Sequence, residues 1–128
     1  MKRVLLFFML LSSVAFAEHP GWLVVEEKVG TEVVKSQITV VRLWAPWCPN
    51  SRAEDQDEGW AKMVAANPHV QFVFVTVRSS DDGVAYLAEH GVGEQPNLKL
   101  LHHPNFVRKG PGSIEYFMDL PITWVPTT

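Results

Sequence analysis

The chain has 128 residues, 47% of them hydrophobic, enough for one domain with a real core and too many for a disordered segment. Eleven basic against fourteen acidic residues give a net charge of −3, which disfavours nucleic acid and anionic membrane surfaces as partners. A single cysteine, Cys48, excludes an internal disulfide.

Met1-Lys2-Arg3 is a short basic head, Val4 to Leu11 is almost wholly apolar, and Ala15-Phe16-Ala17 presents small residues at both positions a signal peptidase reads. Residues 1–17 are therefore expected to be a signal peptide and 18–128 the mature domain, periplasmic or secreted. The apolar run is well short of the roughly 20 residues a membrane span needs, so no stable membrane insertion is expected after cleavage. The alternative is an uncleaved N-terminal anchor. Loss of Lys2 and Arg3 leaves nine basic residues against fourteen acidic ones, a mature charge of −5.

Trp22 to Lys28 reads as a short strand ended by Gly30. Ile38 to Trp44 is apolar on both parities, as in a strand covered on both faces. Pro49 to Ala66 reads as one helix: proline suits the first turn, Ala53, Trp60, Met63 and Val64 form an apolar stripe, and Asn67-Pro68 stops it. Val70 to Val77 is the clearest strand, and the three elements make a βαβ unit whose crossover should be right-handed. A second helix is expected from Asp82 to His90, with Val84, Leu87 and Ala88 inward and Gly91 closing it. Asn97 to His102 reads as a strand and 103–112 as loop; Ser113 to Leu120 suggests a short helix and Ile122 to Thr128 an extended tail. The class is α/β with a mostly parallel sheet.

The chemistry concentrates where a buried strand runs through Trp44-Ala45-Pro46-Trp47 into Cys48, with a helix starting just after. Unpaired N–H groups and the partial positive charge of a helix start favour thiolate over thiol there. The N–H of Ser51, three residues on, is expected to donate to the sulfur, with its hydroxyl adding a second bond. The stretch WAPWCPNS resembles the thioredoxin active-site pattern W-A-x-W-C-x-x-C with Ser51 in place of the second cysteine. The likeness is good over 38–77 and looser over the rest of the mature chain. It implies a thioredoxin-like fold, a central mixed sheet flanked by helices. Cys48 becomes the nucleophile, Ser51 the occupant of the resolving position, Pro49 and Asn50 the variable middle pair, and Trp47 a flanking surface aromatic.

The family also places a cis-proline opposite the nucleophile, the residue before it pairing with bound peptide. Trp124-Val125-Pro126-Thr127-Thr128 resembles the corresponding signature of TlpA-like periplasmic thioredoxins, which makes Val125 and Pro126 substrate-binding candidates. The alternative is Pro96, with Asn97 to His102 and Phe106 to Lys109 forming the final hairpin of a compact thioredoxin. With Pro126 in the role, the chain ends before the last two strands and last helix of the family's fold, which leaves an exposed sheet edge.

A serine cannot resolve a mixed disulfide, because a hydroxyl is a far poorer nucleophile than a thiol at neutral pH. Three readings follow: monothiol exchange with protein thiols or small thiols, a redox-inactive binding module, or a merely buried cysteine. Arg42 stands where thioredoxins often carry a buried acid, and arginine cannot serve as a base. It either supports the thiolate by its charge or snorkels to solvent at the strand end. Glu54, Asp55, Asp57 and Glu58 either complement the helix dipole or form an acidic surface that repels anionic thiols.

No cofactor or metal is implied. His102 and His103 should point to opposite faces of a strand, and His19, His69 and His90 are isolated. A peroxiredoxin-type P-x-x-x-T-x-x-C is ruled out by Val41 and Ala45 at the proline and threonine positions, and there is no phosphate loop or G-x-S-x-G elbow.

Overall fold

The computed structural model describes residues 22–36 and 38–128, so the expected signal peptide lies outside the described residues. It is an α/β structure built on a three-stranded parallel sheet, β1 (Thr39–Trp44), β2 (Gln71–Thr76) and β3 (Leu98–His102), in the order β1-β2-β3. The register runs Arg42 opposite Phe74 and Leu43 opposite Val75, then Phe74 opposite Leu100. Parallel neighbours need crossovers, and helices supply them: α2 (Pro49–Glu54) and α3 (Gly59–Ala66) join β1 to β2, and α4 (Val84–Glu89) joins β2 to β3. On its other side β1 carries an antiparallel bridge, Leu43 and Thr127 exchanging both backbone hydrogen bonds at 2.8 and 3.0 Å.

The two-sided apolar pattern of β2 is used in full. Phe72 and Phe74 pack with Trp44, Val64, Leu87, Val92 and Leu98 on the α3–α4 side. Val73 and Val75 pack with Val25, Val29, Leu43, Ile114, Phe117, Ile122 and Val125 on the opposite side. Asn97 ties the layers together, its amide donating to the carbonyls of Val64, Asn67 and Val70 where α3 ends and β2 begins.

Several elements differ from the sequence expectation. The segment read as a strand, Trp22 to Lys28, belongs to a helix, α1 (Val24–Lys35), and Gly30 lies inside it rather than ending it. Val25, Val29 and Glu32 fall on one buried face, a spacing of four and three that the valine-rich composition disguises. Glu26 and Glu27 in the first turn and Lys35 in the last complement the dipole, and the Glu26 carboxylate accepts the N–H of Leu23 at 2.7 Å.

The single helix expected over Pro49–Ala66 is broken by a 3₁₀ turn, Gln56–Glu58, in which Asp57 and Glu58 take left-handed φ of 55° and 56°. Asp55 turns inward at that point and the chain must fold around it. The expected stripe is correspondingly incomplete: Val64 is buried, Trp60 half-buried, and Ala53 and Met63 exposed. On α4 only Leu87 is buried, whereas Val84 and Ala88 face outward. At Gly83 (φ +73°), the residue preceding α4, a Cβ would run into the indole of Trp44, so the turn needs glycine.

Ser113 to Leu120 forms no helix. A hairpin stands there, β4 (Tyr116–Phe117) and β5 (Leu120–Pro121), turned by Met118 and Asp119 with φ of 50° and 63°. The Glu26 carboxylate accepts the Met118 N–H at 2.6 Å and Phe117 enters the core, so tertiary contacts override local helix preference. The compact alternative, with 97–102 and 106–109 as a closing hairpin, is also overturned: β3 pairs parallel to β2, and 106–109 is not in a strand.

Candidate thiol site

Cys48 is the N-cap residue of α2, with extended backbone (φ −82°, ψ 121°), and Pro49 occupies the first helical turn. Its N–H donates to the Ala45 carbonyl and its carbonyl accepts from the Arg52 N–H, both at 3.0 Å, which fixes the strand-to-helix corner. The residue is 7% exposed. Its Sγ donates to the Val125 carbonyl at 3.2 Å, across 77 residues of sequence. The Val125–Pro126 peptide bond is the one cis bond among the described residues, so the bond before Pro96 is trans. Cys48, Val125 and Pro126 are thus brought together, and Trp124, 70% exposed, stands next to them as an aromatic that the sequence reading did not single out.

Ser51 is brought near but in another role. It is fully buried, its hydroxyl accepts the Ala45 N–H at 3.2 Å and its carbonyl accepts from Arg42 Nη2 at 3.0 Å. No hydrogen bond joins it to the sulfur; the thiol's partner is Val125, because the C-terminal segment reaches the sulfur and the Ser51 hydroxyl is engaged by the strand end. Pro49 and Asn50 are exposed on the first turn of α2. Trp47 is not a free surface aromatic. It is half-buried, its Nε1–H donates to the Arg78 carbonyl at 2.7 Å, and the Arg108 guanidinium lies 4.0 Å above its ring.

Both expectations for Arg42 fail. Its side chain is fully buried, with Nη1 and Nη2 donating to the two Asp55 oxygens at 2.9 and 3.3 Å and Nε to Glu54 at 3.3 Å. The rings of Trp44, Trp60 and Phe74 surround it at 5.0 to 5.3 Å. Its period-2 position puts it on the α3 side of the sheet, while Leu43 goes to the side that holds Cys48. Two of the four acids read as an acidic surface are therefore committed to this guanidinium, and Asp55 is itself buried. Holding both the Ser51 carbonyl and Asp55, Arg42 clamps the helix that carries Cys48 onto β1.

Further charges sit at the seams. Glu32 on α1 accepts from Lys99 on β3 at 2.6 Å, and this bond, outweighing the cost of burial, holds the carboxyl below its ordinary range. His103 is buried, which pushes its imidazole below the ordinary histidine value, with Glu26 acting in the opposite sense; its Nδ1 accepts the Asn105 N–H at 3.0 Å. His102 points to the other face and bonds the Ser79 carbonyl. Among the described residues no cluster of three or more His, Cys, Asp or Glu is arranged to hold a metal ion, and no helix is long and apolar enough to cross a membrane.

Comparison of the chain with protein-family models, with curated proteins and with solved structures finds no match.

Proposed function

We propose that this chain is an exported thioredoxin-like domain that performs monothiol thiol–disulfide exchange through Cys48. The observation that carries the reading is the approach of Cys48 Sγ to the Val125 carbonyl, immediately before a cis proline, with the cysteine capping a helix that follows a buried parallel strand. The W-A-P-W-C-P-N-S motif and the N-terminal leader pattern add to it from the sequence side. In the exchange the Cys48 thiol gives up its proton and the sulfur attacks one sulfur of a partner disulfide. A Cys48–partner disulfide forms, and the other half leaves as a thiol. Ser51 cannot attack that bond, and its hydroxyl is already engaged with Ala45. An external thiol must therefore release the partner.

The burial of Cys48 and its satisfied sulfur favour a second reading, a thioredoxin-like binding module with no covalent step. Intact-mass measurement after incubation with an excess of small disulfide separates the two. Exchange gives one adduct per chain, reversed by dithiothreitol and absent from Cys48→Ala. A wild-type chain that stays unmodified while folded overturns the exchange reading and leaves the binding module.

A further inference from the structure

Beside Trp47, past the C-terminal ends of β1 and β2, lies a cavity of about 390 Å³ lined by Pro46, Trp47, Arg78, Ser79, Phe106 and Arg108, with Ser80 and Asp81 completing its wall. Crevices outside the carboxyl ends of parallel strands are where α/β sheets present ligand sites, and this volume accommodates a group the size of an amino acid or dipeptide. Trp47, which lines it, is the residue before Cys48.

Arg42, Lys35 and Lys99 each meet a carboxylate, whereas half-buried Arg78 and exposed Arg108 make no ion pair among the described residues. Arg78 is held rather than mobile. Its Nη2 donates to the Ile114 carbonyl at 2.8 Å and reaches the Ile122 carbonyl at 3.5 Å, and its own carbonyl anchors the Trp47 indole. Its Nε is buried with no hydrogen-bond partner, an unusual state for a charged donor and one that an anionic ligand at this wall would offset by charge. Arg108 rests its face on Trp47, which leaves the edge of the guanidinium, with its fork of N–H donors, unused among the described residues. The one acid at the wall, Asp81, accepts the Gly83 N–H at 2.8 Å within its own turn. In a chain of net charge −3, two guanidinium groups without an ion pair among the described residues line a cavity that includes Trp47, the residue before the thiol-bearing Cys48.

We propose that this cavity is a carboxylate-binding subsite, selecting thiols and disulfides that carry a carboxylate close to the sulfur. The inference deepens the exchange reading and rests on it for the covalent step. There the Cys48 sulfur bonds to one sulfur of the carboxylated disulfide, the disulfide breaks, and the departing half takes the proton. It is opposed to one of the two sequence-based readings of the acids after Cys48, a surface that repels anionic thiols.

The test uses the full chain and two kinds of measurement. In the first, adduct formation is timed with 5,5′-dithiobis(2-nitrobenzoate), which carries a carboxylate on each half, and with uncharged 4,4′-dithiodipyridine. Arg108→Gln is expected to slow the first reaction about tenfold, from loss of one charge-assisted contact, and leave the second within about twofold; Arg108→Lys should recover part of the loss. Equal effects on both probes overturn the subsite. Glutathione disulfide and a disulfide-linked glutamate-rich peptide then separate a small-molecule source from a protein one. The faster, Arg108-dependent arm identifies the source, and independence from Arg108 in both overturns the proposal. In the second measurement, binding of glutathione disulfide to Cys48→Ala is followed by the indole N–H resonance of Trp47. Saturable binding lost in Cys48→Ala/Arg108→Gln supports the subsite even if the wild-type chain forms no adduct, an outcome that removes only the exchange reading. Absence of saturable binding overturns the subsite.

Discussion

Arg42 and Asp55 form a bidentate pair in which both side chains are fully buried. Such a pair gains little over apolar packing, yet breaking it is expensive because one charge stays buried without a partner. Arg42→Met should therefore cost about 3–5 kcal/mol in urea unfolding, and Arg42→Met/Asp55→Leu should recover a large part of that. A single-mutant loss below about 1 kcal/mol would show that the guanidinium does not clamp α2 to the sheet. Ser51 is the other decisive residue. Ser51→Cys places a thiol where a resolving cysteine stands in the thioredoxin pattern, and the exchange reading expects the variant to gain dithiothreitol-dependent insulin reduction that the wild-type chain lacks. It should also lose about 1 kcal/mol of stability, because the buried Ala45 N–H exchanges a good acceptor for a weak one. A Ser51→Cys variant that forms the internal disulfide with Cys48 by mass and still shows no turnover would count against the exchange reading.

At the level of elements, α1 is held by its charged residues as much as by its apolar face. Glu26 accepts from Leu23 and from Met118 and so links the helix start to the β4–β5 turn, and Glu32 reaches across to Lys99. These contacts give stability a pH dependence whose sign is fixed. Burial holds the folded-state value of His103 below the ordinary 6.5, with Glu26 raising it and His102 lowering it. Below that pH the unfolded chain takes up a proton that the folded chain resists, so stability falls with acidification from about 6.5 until the folded ring itself protonates. Glu32 is held below its ordinary 4.5 by Lys99, so its contribution is complete above that pH and is lost as pH falls through the folded value. Both act in the same direction. The urea midpoint should drop between pH 7.5 and 5.5 in the wild-type chain and drop less in His103→Gln; a midpoint equal or higher at pH 5.5 would contradict this account of His103.

Element type was legible where one periodicity dominated. β2 announced itself because both parities are apolar, and a helix start after Cys48 because proline suits the first turn, although the one helix expected to run on to Asn67-Pro68 is broken at Gln56–Glu58. α1 was misread since its start is read from β-branched valines, whose β preference is local, while the spacing of buried Val25, Val29 and Glu32 is set by the sheet they cover. The break at Asp55 and the hairpin at Met118–Asp119 left no local mark, because each depends on a charged partner far along the chain, Arg42 in one case and Glu26 in the other.

For the whole molecule, the parallel strands send the segments that follow β1, β2 and β3 to the same end of the sheet, where Trp47, Arg78 and Arg108 line one cavity. Sequence by itself determined the α/β class, the parallel strands, the site of the only thiol and the absence of a second cysteine to resolve it, since these follow from composition, periodicity and residue identity. It favoured Pro126 over Pro96 as the facing proline without deciding between them. Tertiary structure alone decided that the cis bond is at Pro126, that Val125 meets the sulfur, that Arg42 is buried with Asp55, and that Arg78 and Arg108 gather at Trp47. For the last three the reason is the same: each is a contact between residues separated in the chain, and its energy exists only once the sheet and the C-terminal segment have excluded water from it.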